Sequence, residues 1–141
     1  TLAKAPTFSG GPFTVLQIHE TPTARGTVIQ SYAMKMSIEA TWQANKGSMS
    51  IPTYFWRELI SGPAALVGAT QDSNTFEVPL TGTNDNITGK ATASFKSGEG
   101  SFSATADFNG KVSPSGDSVT GTLKIISEVI SQSVSVVLTK Q

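Results

Sequence analysis

From Ile87 to Lys96 the chain alternates without a break. Ile87, Gly89, Ala91, Ala93 and Phe95 share one parity; Thr88, Lys90, Thr92, Ser94 and Lys96 share the other. Successive side chains of an extended strand point to opposite faces, so this segment reads as a strand with one dry face. The rhythm returns in Phe102, Ala104, Ala106 and Phe108, in Val119, Gly121, Leu123 and Ile125, and in Val134, Val136 and Leu138. Turn residues separate these runs at Ser97-Gly98-Glu99-Gly100 and Pro114-Ser115-Gly116-Asp117. Asn109-Gly110 is the residue pair of a type I′ hairpin, which predicts a tight turn there and a short strand over Lys111–Ser113. Strands linked this closely form an antiparallel meander rather than βαβ units. Ile87, Ala91, Phe95, Phe102, Ala104, Phe108, Leu123, Ile125, Val134, Val136 and Leu138 are then expected to face inward.

The first half follows the same plan less regularly. Phe13–Glu20 reads as a strand, and Thr21–Gly26 reads as a turn. Val28–Trp42 is a long strand whose even positions carry Val28, Tyr32, Met34, Met36, Ile38, Ala40 and Trp42. Such length suits a coiled barrel strand better than a strand of an open sheet. Met49–Phe55 reads as a further strand. Thr53–Ser61 fits two helical turns as well as it fits a strand. Ala64–Ala69 and Phe76–Leu80 read as short strands around a turn at Gln71–Asn74. The expectation is an all-β fold: an antiparallel meander of eight or nine strands in a closed barrel, with a flattened sandwich as runner-up. It forms one domain over residues 1–141, with residues 1–11 a flexible, processed-looking lead-in.

Composition narrows the function classes. Ten Lys and Arg balance ten Asp and Glu, so there is no basic footprint for nucleic acid. Only 14% of residues are charged, which slightly favours an extracytoplasmic or secreted location. There is no cysteine, which excludes disulfides, thiol catalysis and Cys-ligated zinc. No apolar run reaches the length of a membrane-spanning helix.

No segment carries a diagnostic catalytic motif, so no catalytic residue is assigned. His19 is the single histidine, and its neighbour Glu20 falls on the opposite strand face, poorly placed to orient it. An exposed strand-end imidazole is the simpler expectation. One His without Cys cannot build a conventional zinc site, and Asn84-Asp85-Asn86 reads as a turn; neither a metal nor a cofactor is expected. Gly-x-Ser-x-Gly and Gly-x-Gly-x-x-Gly are both missing. Asn86-Ile87-Thr88 matches a glycosylation sequon, as chance would in a Thr-rich chain.

The dry faces of residues 87–121 are built of unusually small residues, among them Gly89, Ala91, Ala93, Ala104, Ala106 and Gly121. Interiors pack densely, so something must fill the missing volume: bulky side chains from the opposite wall, a plug from Tyr54–Ile60, or a ligand. Tyr32, Met34, Met36 and Trp42 are the expected wall of a ligand cavity, with Tyr54 and Trp56 at its mouth. The meander over residues 86–139, with its Val119-Thr120-Gly121-Thr122 strand, loosely resembles the calycin-type barrels, the lipocalins and avidins. The Gly-x-Trp strand of lipocalins has no counterpart around Trp42, so no functional residue is carried over.

Three functions fit. The leading one is binding of a small, mostly apolar molecule inside a cofactor-free barrel. A cyclase or isomerase on the same barrel would draw on orientation of a flexible substrate. A structural or adhesive surface module would have a filled core. A homo-oligomer is compatible with each.

Overall fold

The computed structural model describes residues 5–63, 69–97 and 100–141. Eight strands follow one another around a closed antiparallel barrel: β1 (Thr7–Thr23), β2 (Gly26–Gln43), β3 (Lys46–Ser61), β4 (Thr70–Thr83), β5 (Asn86–Ser97), β6 (Gly100–Val112), β7 (Ser118–Ile126) and β8 (Ser131–Lys140). The described residues contain no helix. In particular, none is long and apolar enough to cross a membrane. The β1–β2 and β7–β8 connections and the Ser97↔Gly100 pair of β5 and β6 lie at one end, called here the upper end. The β2–β3, β4–β5 and β6–β7 connections lie at the lower end.

Parity decides which residues form the core. On β2 the even positions from Val28 to Trp42 face inward, and their partners on β1 and β3 face inward with them. The inward set expected for residues 87–138 is buried, with Ala91 and Val134 half-buried. Eight-stranded barrels have an interior just wide enough to be filled by side chains. Here Met34, Met36, Ile51, Phe55, Phe76, Phe108 and Leu123 occupy the middle and are fully buried. The Gly positions of the small-residue wall are sites of close approach. A Cβ on Gly89 would lie 2.8 Å from Leu80 Cδ2, and one on Gly110 would lie 2.5 Å from Phe108 Cζ.

Three expectations are corrected and one open choice is decided. Asn109-Gly110 is not a turn. Both residues lie within β6, where Asn109 pairs with Thr88 and Thr122, and Gly110 pairs with Ile87 and Gly121. Long neighbours on both sides carry the strand through, and the chain reverses only at Ser113–Asp117, where Gly116 has φ 78°. Gln71–Asn74 is likewise strand, paired with Thr53–Trp56. Of the two readings open for Thr53–Ser61 the strand holds, because β2 and β4 supply hydrogen-bonding partners on both sides. Thr7–Gly11 belongs to β1 and not to a lead-in, with Phe8 buried in the core. Residues 1–4 and most of the short strand expected over 64–69 lie outside the described residues.

Two prolines shape the ladders. Pro52 has no N–H to give, and the β2–β3 pairing skips Ser37 and Ile38 opposite it without changing register. Pro79 sits where the β4–β5 ladder stops, after only Thr83↔Asn86 to Leu80↔Gly89. Above that point side chains bridge the strands. Asn74 Nδ2 donates to Ser94 O at 2.9 Å, and the Lys96 N–H donates to Asp72 Oδ2 at 2.7 Å. The closing seam is shorter still, since β1 and β8 pair only at Phe8↔Lys140 and Ser9↔Thr139. Ala91 at one seam and Phe13 and Val134 at the other are half-buried, while Phe76, Phe95, Val136 and Leu138 beside the same seams stay buried.

Candidate functional site at the upper end

The upper end combines an aromatic floor with a polar rim. Phe55 reaches from β3 to Phe95 and Phe102 on the far wall, with ring centroids 6.2 and 5.0 Å away. Phe76 lies 5.8 Å from Phe95, and Tyr32 lies 6.4 Å from Phe55. Edge-to-face and offset contacts at these distances are favourable beyond the area they bury.

Above this floor the inward parity continues, but the residues turn polar. Gln17 and His19 on β1 pair with Tyr32 and Gln30 on β2, and these pair with Arg57 and Leu59 on β3. Directly opposed residues in an antiparallel pair point to the same face. His19, Gln30 and Arg57 therefore rim one opening.

Most of the rim is tied down. The imidazole of His19 meets Tyr32 edge-on at 4.6 Å. His19 Nε2 lies 2.6 Å from Val129 O; a carbonyl only accepts, so Nε2 carries a proton, and in the ring's neutral form the lone pair is on Nδ1. Arg57 donates to Ser97 Oγ at 3.2 Å and to Thr70 Oγ1 at 3.0 Å. Gln132 Nε2 donates to Gln17 Oε1 at 2.7 Å across the β1–β8 seam. Gln30 is the exception. It is 7% exposed, and its buried Oε1 has no hydrogen-bond partner. Leaving a buried polar atom unpaired costs about 1–3 kcal/mol.

The residues expected to bind a ligand are divided between two faces. Tyr32, Met34, Met36 and Trp42 point inward. Tyr32 stands under the rim, Met34 and Met36 fill the middle, and Trp42 closes the lower end, donating from Nε1 to Asn84 Oδ1 at 2.8 Å. Tyr54 and Trp56 are on the outer face of β3, because Phe55 and Arg57 hold the inward parity. Their rings sit 5.4 Å apart, and Tyr54 donates its hydroxyl proton to Gln71 Oε1. Beside them runs an open groove of about 480 Å3, bordered by Lys35, Glu58 and Thr70. The two aromatic residues expected at the mouth are thus separated by the barrel wall from the four expected behind it.

No family model, curated protein or solved structure matches the chain. The site therefore has to be read from its own chemistry. Sequence reasoning passed over Gln30, although the signal was present: it is a polar residue on the parity of Val28 and Tyr32, inside an otherwise apolar inward series. His19 is half-buried and hydrogen-bonded, not the exposed imidazole expected. Among the described residues no group of His, Asp and Glu is arranged to hold a metal.

Proposed function

We propose that the domain binds a small, mostly apolar molecule in the upper part of the barrel interior, in the manner of calycin-type barrels. The observation that carries this reading is Gln30, whose buried Oε1 has no partner among the described residues and stands above a floor of packed aromatic rings. An apolar body would lie against Tyr32, Phe55 and Phe102. Met34 and Met36 would yield to it, since thioether side chains repack more readily than branched or aromatic ones. Tyr54 and Trp56 lie outside this volume and are not part of the proposed site.

Native mass spectrometry of the chain purified from its own cells tests the proposal. A retained small molecule, lost from Phe55→Ala, is the expected result. A bare mass under conditions that keep the fold counts against it.

One observation favours the structural-module reading. The space next to Gly89 and Gly110, toward the lower end, is already taken by Leu80 and Phe108, and the fully buried Met34, Met36, Phe55 and Phe76 fill the interior above them. That reading predicts no retained molecule. The cyclase or isomerase reading would use the same mouth, with the His19 Nδ1 lone pair as base; turnover of a flexible polyene, lost in His19→Phe, separates it from simple binding.

A further inference from the structure

We infer that the ligand's polar end is a neutral hydrogen-bond donor, a hydroxyl, held at Gln30 and His19. The inference rests on the interior site proposed above and specifies what that site reads. Gln30 and His19 are directly paired across β1 and β2 and point to the same face. Gln30 offers Oε1, which is buried and accepts from nothing. His19 has committed Nε2–H to Val129 O, so in the neutral ring Nδ1 offers a second acceptor. Cβ atoms of such a pair stand roughly 5 Å apart, so one small group can reach both. What these two acceptors leave open is a partner that donates.

The surrounding charge refines the class. Arg57 faces inward one strand away, paired with Tyr32. A cation beside the site disfavours an ammonium head. A carboxylate head would suit Arg57 and the Gln30 Nε2–H2 donors, but it has no hydrogen to give and would leave the buried Gln30 Oε1 unpaired. A hydroxyl satisfies Gln30 Oε1 or His19 Nδ1 with its hydrogen and places no charge near the guanidinium. The aromatic floor beneath takes the hydrocarbon part. The structure thus fits an apolar alcohol of one chain or ring system better than a fatty acid or an alkyl amine.

The test compares octan-1-ol, octyl methyl ether and octanoate, titrated into the full chain and followed by the methyl resonances of the methionines. The ether keeps the oxygen and the chain but has no donor. The alcohol should bind about tenfold more tightly than the ether, the worth of one hydrogen bond to a buried partner. Gln30→Met should abolish that advantage, bringing the alcohol-to-ether ratio to about one. If Gln30→Met does not fold, the alcohol-to-ether ratio of the unaltered chain decides alone. Equal binding of alcohol and ether overturns the inference while leaving the interior site standing. So does tightest binding by octanoate, which would assign the head group to Arg57. Binding of none of the three overturns the inference and the interior site together.

Discussion

Replacing Gln30 by methionine should make the ligand-free domain more stable. Gln30 Oε1 is buried without a partner, and an orphaned buried polar atom costs about 1–3 kcal/mol. Methionine has similar length and volume and carries no group that must be hydrogen-bonded. It would stand on the face of Val28 and Tyr32, among residues already buried. The transfer gain on burying a thioether adds to the relief, and lost side-chain entropy offsets part of it. A net stabilisation of about 1–2 kcal/mol is expected. For a chain of this size that raises Tm by roughly 3–10 °C. Urea denaturation at neutral pH measures it, with a higher midpoint and an unchanged m-value marking a change in stability alone. A loss of about 1 kcal/mol or more would refute the reasoning. It would mean that the carboxamide is already satisfied in solution by an ordered water and belongs to the architecture.

Glycine substitutions on β6 should divide sharply by position. Gly110→Ala places a methyl 2.5 Å from both Phe108 Cζ and Thr120 O, so overpacking should destabilise the fold by about 1–3 kcal/mol in the same urea assay. Gly100→Ala, whose nearest neighbour outside the adjoining residues is Ser97 O at 4.0 Å, should change stability by less than about 0.5 kcal/mol; equal losses at the two sites would contradict the packing described for the small-residue wall.

The barrel was legible wherever one face is dry and the other wet. The parities of Ile87–Phe95, Phe102–Phe108 and Val119–Ile125 specify both strand and inward face, because a slip of one residue would turn each apolar set outward. Asn109-Gly110 misled because the pair is a local signal. Whether a chain turns there depends on whether β5 and β7 continue to offer partners, and they do. Tyr54-Phe55-Trp56 has no alternation of polarity, since large aromatics lie on both faces of β3. The pattern could not assign Phe55 to the interior and its neighbours to the exterior. Only pairing with Met34, Ala33 and Lys35 does so. Gln30 and Arg57 were hidden for a related reason. Near the upper end the inward parity becomes polar, so a rule that equates inward with apolar skips the residues that form the rim.

Methionine-methyl NMR with octan-1-ol tests the interior site most directly, because the chain's three methionines sit at different depths. Met34 pairs with Phe55 beneath the rim, Met36 lies one step below it, and Met49 pairs with Ala40 and Val78 toward the lower end. Saturable shifts that are largest at Met34, smaller at Met36 and least at Met49 are the expected result. Resonances that stay fixed up to the solubility limit, or that move most at Met49, would contradict a ligand seated beneath His19, Gln30 and Tyr32.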